Sequence, residues 1–379
     1  MDNKIKARLK QVPSDFVVKE ILPDRCILDI NSDYDYPKEG NTVHCILKKE
    51  NIDQFRAVGI IASELGLLSK DVAICGTKDK RAHTTQRVSI KGSKKEDIGN
   101  ITSDNLILKY LGRGPELRIG ELYGNHFEIT LRDIDISRDE LLKYLQKIKD
   151  NPRFPNHFGE QRFGSIRPIS HIVGKHVILG DFKGAVLDYI CLCFLRENET
   201  IKAARTMAKT DLKVALEMFP KSSYYERVMM VHLIEKPEDY RGAFFRLPSN
   251  LQKLMVHAYQ SYLFNKILDK LIVSNVGNRM LEIPLFGFGM NIPKDLKLIK
   301  IMRDVLKEEK ISLENFRDDA SRQLGSKGGR RKAFQTAEKF KVIEISDDEL
   351  NLGKIKCKIS FSLRKGTYAT VFLGNHFEL

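Results

Sequence analysis

Strand signals dominate the chain from residue 12 to about residue 132. Apolar and polar residues alternate there, or β-branched and apolar residues cluster, and both patterns are typical of strands that are at least half-buried. The predicted strands cover residues 16–21, 42–47, 72–75 and 127–131. Strands this close in sequence can pair with one another without helical crossovers, as in α+β proteins.

Helical spacing and capping residues mark the other predicted elements. Asn51 can cap a helix that runs to about residue 67, Ser137 opens a capping box, and Ser249 can cap a long amphipathic helix. The pattern is mostly helical from about residue 180 onward. Strand-like alternation resumes over residues 355–359 and again over residues 368–373.

This order predicts an α+β fold in which a domain with a mixed or antiparallel sheet is interrupted by a mostly helical α/β insertion. We expect the first domain to contain residues 1–170 and 342–379, and the insertion to contain residues 171–341. The segment from 355 to 373 has too few apolar residues for a core of its own, so it should pair with the N-terminal sheet.

Composition and charge narrow the class of protein. The 379 residues suggest two or three domains. The 64 Lys and Arg against 50 Asp and Glu leave a net charge of +14, which predicts a polyanionic partner such as RNA, DNA or anionic lipid. No apolar run approaches the ~18 residues of a membrane-spanning helix. The N-terminus lacks an apolar signal segment and the six cysteines are scattered, so a cytoplasmic protein with reduced thiols is expected.

One carboxylate stands among cations in the loop after the strand predicted at 72–75. Asp79 is flanked there by Lys78, Lys80 and Arg81. Nearby cations favour the ionised form of a carboxylate, and an ionised carboxylate in a basic cleft can act as nucleophile or base on a nucleic acid. The alternative is a solvated loop with an ordinary surface ion pair.

Residues 155–164 combine two phenylalanine rings, the Asn156 amide and an arginine with two glycines. Phe158 could stack on a base and Asn156 could hydrogen-bond its edge, as in proteins that bind single-stranded RNA. The alternative is a tight turn with buried phenylalanines.

The most basic stretch is residues 321–341. Its cations are Arg322, Lys327, Arg330, Arg331, Lys332, Lys339 and Lys341. Arg330 and Arg331 follow a glycine-rich segment and could bind phosphates, although a solvated charge run is an equal alternative. His171 and His176 are wrongly spaced for a helical metal pair and no phosphate-binding or dinucleotide motif is present, so neither a metal nor a cofactor is expected.

Taken together, five segments in order resemble the TruD family of tRNA pseudouridine synthases. The matching segments are GTKDKRAHTTQ at 76–86, LRIGELYGNHF at 117–127, PNHFGEQRFG at 155–164, AYQSYLFN at 258–265 and FSLRKGTYAT at 361–370. The insertion between them matches only thinly. His157 departs from the family's usual tyrosine, and Gly374 with Asn375 stands where charged residues are usual.

The resemblance implies roles for particular residues. It places Asp79 at the catalytic aspartate, and Lys10, Glu20 and a base-stacking Phe16 near the active site, in a segment that otherwise passes for an ordinary first strand. Asn156 and Phe158 carry over as substrate-binding residues. From charge and not from the resemblance, Lys78 beside Asp79 and Arg330 and Arg331 of the basic stretch complete the expected substrate-binding set.

The resemblance also implies the reaction, in which a uridine of tRNA, at position 13 of the D arm, becomes pseudouridine without metal or cofactor. Attack by Asp79 at C1′, attack at C6, and removal of the C2′ proton are three open routes. The main alternative is a non-catalytic RNA-binding protein, which has no chemical need for Asp79. A phosphoryl or methyl transferase would need a glycine loop or cofactor motif that the sequence lacks.

Overall fold

The computed structural model describes residues 4–99, 101–103, 105–274, 281–317 and 324–379. The chain forms two compact units, Met1–Phe154 with Gln335–Leu379, and Pro155–Phe334. These boundaries lie earlier than the expected ones after 170 and before 342. Two sets of contacts explain part of the difference: Phe158 and Ile169 pack in the core of the second unit, whereas Phe340 is buried in the core of the first.

The N-terminal part of the first unit is mostly β-structure. Its strands are β1 Ile5–Lys6, β2 Phe16–Ile21, β3 Thr42–Glu50, β4 Val72–Ile74, β5 His83–Lys91, β6 Thr102–Ser103, β7 Leu106–Gly114, β8 Gly124–Ile134 and β9 Arg153–Pro155. Its α-helices are α1 Gln54–Glu64, α2 Lys95–Ile98 and α3 Arg138–Asp150, and its 3-10 helices are Pro13–Asp15 and Ser69–Asp71.

The second unit is mostly helical, as expected. Its α-helices are α4 Ser170–Ile178, α5 Phe182–Cys191, α6 Glu199–Met207, α7 Leu212–Met218, α8 Tyr224–Glu235, α9 Tyr240–Phe245, α10 Ser249–Val273 and α11 Leu296–Glu309. Its strands are β10 Glu282–Leu285 and β11 Gly329–Lys332, which pair antiparallel, and its 3-10 helices are Glu160–Arg162 and Glu314–Phe316. Arg322 lies outside the described residues.

The chain then returns to the first unit. Its last elements are β12 Phe334–Thr336, β13 Glu338–Asp347, β14 Ile355–Arg364, α12 Ala369–His376 and β15 Phe377–Glu378. None of the helices in the described part of the chain combines the length and the apolarity that crossing a bilayer requires.

A mixed sheet organises the first unit. The strand order is β13-β14-β8-β2-β5-β3-β7-β6, with β4 also on β5. β2 and β5 are parallel and the other pairs are antiparallel. β14 pairs with β8 from Ile355 opposite Ile134 to Arg364 opposite Gly124, which confirms that the C-terminal strand joins the N-terminal sheet.

Local sequence explains α3 and corrects the other two predicted caps. The Ser137 hydroxyl accepts from the Glu140 backbone and the Glu140 carboxylate accepts from the Ser137 backbone, which confirms the capping box. The prediction that Asn51 caps α1 is wrong, because Asp53 accepts from the first-turn amides. Ser249 is the first residue of α10, and Pro248 takes the cap position.

The strand predicted over residues 368–373 is also wrong, because this segment enters α12. Ala369, Phe372 and Leu373 are buried, and their spacing of three and four residues is that of a helix face. The short stretch between β14 and the chain end therefore packs as a helix.

Candidate active site

Asp79 lies in the loop between β4 and β5, next to the middle of the sheet. β5 begins at His83, which is opposite Val17 of β2 and Glu50 of β3. The Asn51 amide donates to the Ala82 carbonyl at 3.2 Å, so the loop also bonds to the segment after β3. Three strands thus determine where the loop ends.

The Asp79 carboxylate is paired with Lys10. Lys10 Nζ lies 2.7 Å from Asp79 Oδ1, and the two side chains are 20% and 25% exposed. The same ammonium lies 3.9 Å from the ring centroid of Phe16, and Lys10 has a positive φ of 56°, an uncommon backbone conformation for a residue other than glycine. The pair is close to solvent, and a reacting group could approach it.

Phe16 itself is only 1% exposed. Its ring packs edge-on to Phe127 at 6.1 Å between centroids and is a member of the core under β2 and β8. A base can stack on this ring only if the Lys10 ammonium moves. The base-stacking role expected for Phe16 stays a prediction.

Glu20 and Lys78 form a buried ion pair. Lys78 Nζ lies 3.2 Å from Glu20 Oε2, and the side chains are 3% and 0% exposed respectively. Because breaking a buried pair leaves an uncompensated charge, the pair ties the start of the Asp79 loop to β2. Contact between these two residues and a substrate stays a prediction.

An open cavity of about 530 Å³ lies beside Lys10. Arg8, Gln11 and Arg81 also line it, and Arg81 Nη2 donates to the Gln11 carbonyl at 2.5 Å. Arg8 and Lys10 are paired with Asp133 and Asp79 at 2.8 and 2.7 Å, and together with Arg81 they give the cavity cationic groups of the kind that bind an RNA backbone.

A chain of hydrogen bonds holds Arg87, another cation near the loop. Arg87 Nη1 donates to the Tyr36 hydroxyl at 2.7 Å, and Nη2 donates to the Glu121 carbonyl at 2.9 Å. The Tyr36 hydroxyl lies 2.7 Å from His44 Nδ1, and His44 Nε2 lies 2.8 Å from the Pro115 carbonyl. Since a carbonyl only accepts, His44 carries its proton on Nε2, and Tyr36 donates to Nδ1. Burial lowers the pKa of His44, which agrees with a neutral ring.

Lys49 was missed by the sequence analysis. Its side chain is 1% exposed, and Nζ donates to the carbonyls of Asp79 at 2.8 Å and Ile52 at 3.0 Å. Burial lowers its pKa to about 8, although the negative charge of Asp79 opposes this shift. The alternation of the strand could have indicated its burial. Val43, Cys45 and Leu47 of β3 face the core, and Lys49 is the next position on the same face.

The second unit brings together Asn156, Phe158 and Arg331. Arg331 Nη2 donates to Asn156 Oδ1 at 2.8 Å, and its Nε donates to the Asn156 carbonyl at 3.0 Å. Asn156 Nδ2 donates to the Lys332 carbonyl at 2.9 Å. The amide of Asn156 is 2% exposed and has protein partners on both polar atoms, so it shapes the loop in this conformation.

Phe158 is half-buried, and the Arg331 guanidinium lies 4.0 Å from its ring centroid. Its backbone exchanges two hydrogen bonds with the Asn265 amide, at 2.8 and 3.0 Å. Arg330 is exposed on β11, whereas Arg331 is half-buried. The two neighbouring arginines therefore occupy different environments.

Among the described residues, no group of three or more His, Cys, Asp or Glu side chains is arranged to hold a metal ion. All six cysteines are free thiols.

Comparisons with known proteins agree with the motifs. Residues 2–282 and 273–375 match the family model described as tRNA pseudouridine synthase D (TruD). A Methanosarcina acetivorans protein named "Probable tRNA pseudouridine synthase D" is 36% identical over 421 positions, covering 98% of this chain and 92% of that protein. A Methanopyrus kandleri protein of the same name is 36% identical over 342 positions, covering 86% and 83%.

The fold has a counterpart among solved structures. A crystal structure from Methanosarcina mazei, described under the same family name, superposes with a TM-score of 0.81 at 34% identity. The match covers 100% of this chain and 94% of the other.

Proposed function

Because this chain belongs to the TruD family of tRNA pseudouridine synthases, we propose that it converts the uridine at position 13 of tRNA, in the D arm, to pseudouridine, with Asp79 as the catalytic carboxylate. The reaction breaks the N1–C1′ bond, turns the base and joins C5 to C1′. A proton leaves C5 and one is taken up at N1, so substrate and product contain the same atoms.

The ion pair between Lys10 and Asp79 is the observation that carries this proposal. A quarter-exposed carboxylate, 2.7 Å from an ammonium, is accessible to a nucleotide and has a fixed orientation. Either role of a carboxylate, nucleophile or base, requires both properties. The cationic cavity beside Lys10 supports binding of the phosphates next to the target uridine.

The loop at 155–164 supports recognition of an unstacked base. A uridine in a folded tRNA must leave its stack before its C1′ and C5 can react, and an aromatic ring can hold it afterwards. We assign stacking on a base of the tRNA to Phe158. Asn156 and Arg331 hold the loop that carries Phe158, and the exposed Arg330 binds phosphate.

The test is Asp79→Asn in the full chain, with an unmodified tRNA transcript, no added cofactor and site-resolved detection of pseudouridine. Asparagine has nearly the same shape but cannot act as nucleophile or base. Turnover should therefore be lost, while tRNA binding stays within a few-fold of wild type. Asp33→Asn, at an exposed aspartate paired with Lys109, is the matched control and should be fully active.

Activity of Asp79→Asn within tenfold of wild type would contradict the catalytic assignment. Wild-type protein that binds the transcript but forms no pseudouridine would instead favour the non-catalytic RNA-binding alternative. Pseudouridine at another position would support the proposed reaction but show that position 13 is not the target.

A further inference from the structure

A buried ammonium lies directly behind the loop that carries Asp79. Lys49 stands near the end of β3 and is among the largest fully buried side chains of the described residues, at 1% exposure. Its inward neighbours on the strand, Val43, Cys45 and Leu47, are completely buried apolar residues. A lysine in such a row requires a specific reason, because lysine is almost never fully buried without partners.

The partners of this ammonium are two backbone carbonyls. Lys49 Nζ lies 2.8 Å from the Asp79 oxygen and 3.0 Å from the Ile52 oxygen. With the bond from the Asn51 amide to the Ala82 carbonyl at 3.2 Å, these contacts link the loop to the end of β3 on both sides of Lys80. Lys49 therefore bonds the backbone of Asp79, whereas Lys10 bonds its carboxylate.

Stability alone does not account for this lysine. Moving an ammonium out of water is costly, and replacing buried charges by apolar groups of similar size is often neutral or stabilising. A methionine would fill similar space without that cost. What it would lack is the pair of hydrogen bonds, one of which reaches the residue that carries the proposed chemistry.

We infer that Lys49 is a positioning residue, which fixes the backbone of Asp79 so that its carboxylate meets the reacting uridine at a constant place. The inference rests on the proposed function of Asp79. Lys49 is buried and acts through Asp79, so it should affect the rate of the bound complex and leave tRNA affinity unchanged. A displacement of about 1 Å at a reacting group can reduce the rate about 100-fold.

The test compares full-length Lys49→Met with Lys48→Met by single-turnover kinetics, with enzyme in excess over tRNA transcript. For Lys49→Met we expect the rate at saturating enzyme to fall about 10- to 100-fold. The enzyme concentration at half-saturation should stay within threefold, and thermal unfolding should remain cooperative. Lys48 is the adjacent lysine of β3 and is half-buried, and Lys48→Met should keep the wild-type rate.

Two outcomes would overturn the inference. One is a wild-type rate in folded Lys49→Met, and the other is a parallel loss of rate and affinity, which a general structural role would cause. If Lys49→Met does not fold, Lys49→Gln replaces it, because glutamine keeps a hydrogen-bond donor without the charge. The rate at saturating enzyme and the half-saturating enzyme concentration are then compared in the same way. An inactive Asp79→Asn beside a fully active Lys49→Met would refute the positioning role and leave the proposed function intact.

Discussion

Asp79 meets two ammonium groups at two different atoms. Lys10, 69 positions earlier in the chain, reaches its carboxylate, and Lys49, 30 positions earlier, reaches its carbonyl. Only Lys10 also faces the cationic cavity and the Phe16 ring. At the residue scale, Lys10 thus orients the carboxylate of Asp79, and Lys49 holds its backbone.

Phe16 and Phe158 should respond differently to truncation. Phe16→Ala should destabilise the protein by ~3–5 kcal/mol, because it empties a core position. Phe158→Ala should cost less stability and lower catalytic efficiency about 5- to 150-fold, which is the ~1–3 kcal/mol of one stacked base. Thermal unfolding and kinetics per folded molecule measure the two effects.

Phe372→Ala is the matched control for Phe16, since Phe372 is fully buried in the same core. If folded Phe16→Ala is as active as folded Phe372→Ala, Phe16 serves the core and does not stack on the substrate. Unchanged kinetics in Phe158→Ala would remove the stacking role assigned to that ring.

Stability should depend on pH through Lys49. Burial lowers its pKa from 10.5 to about 8. Between these values the unfolded chain binds more protons than the folded chain, so stability rises with pH there and is independent of this group below about 8. The difference in unfolding free energy, wild type minus Lys49→Met, should therefore increase by up to ~3 kcal/mol from pH 8 to 10.5.

Urea denaturation over this pH range measures that difference, and other titrating groups largely cancel in it. Lys48→Met, at the adjacent lysine of the same strand, supplies the control for the loss of one lysine. A difference between wild type and Lys49→Met that does not change with pH would contradict the lowered pKa of Lys49.

At the scale of elements, β11 carries two arginines in different environments, and we expect their functions to differ. Arg330 is exposed, whereas Arg331 bonds Asn156 and His157. Arg330→Gln should weaken tRNA binding and reduce the slope of log affinity against log salt by about 0.7–0.9, as for one phosphate contact. Arg331→Gln should mainly lower the reaction rate, because it releases the loop that carries Phe158.

Arg303→Gln, at an exposed arginine of α11, is the matched control for the loss of one charge. If Arg330→Gln leaves both affinity and slope unchanged, β11 does not contact phosphate. If Arg331→Gln lowers the salt slope as much as Arg330→Gln does, the distinction between them fails.

The sequence predicted correctly those elements whose capping residues or apolar spacing lie within the element itself. The capping box at Ser137 and the alternation over residues 16–21 required no distant information. The segment 368–373 was misassigned because its apolar run is short enough to fit both the period of a strand and that of a helix. Packing of the folded chain decides between the two. Helix and strand are hard to distinguish in such runs.

The candidate site was predictable only in part, for a similar reason. Asp79 stands out locally because cations adjoin it in the sequence. Lys49 does not, because its partners are carbonyl groups, which every residue has, and only the folded loop brings them near. Likewise, Asn156 was expected to meet a base, but in the structure Arg331 and the Lys332 carbonyl hold its amide.

At the scale of the whole molecule, the first unit is built from two distant pieces of chain. β14 lies between β13 and β8, and Cys357, Ile359 and Phe361 fill the same core as Phe16 and Phe127. The N-terminal piece therefore lacks both a strand partner for β8 and part of its core. An unpaired edge with apolar side chains is prone to association.

Residues 1–154 alone should accordingly be insoluble or lack cooperative unfolding, although they contain Asp79, Lys10 and Lys49. Joining Phe154 to Gln335 by a short Gly/Ser linker should restore a folded unit. A short linker suffices, because the Ala337 amide donates to the Pro152 carbonyl at 2.9 Å. The joined protein should bind tRNA weakly, since it lacks Arg330 and the loop with Phe158.

The joined protein with Ile359→Asp is the matched control, because a carboxylate in place of a fully buried side chain should abolish folding again. Circular dichroism during urea denaturation distinguishes these cases. A cooperative transition in residues 1–154 alone would show that β8 does not need β14. The strand would then be an addition to a complete core, and the discontinuity of the chain would not be required for the fold that presents Asp79.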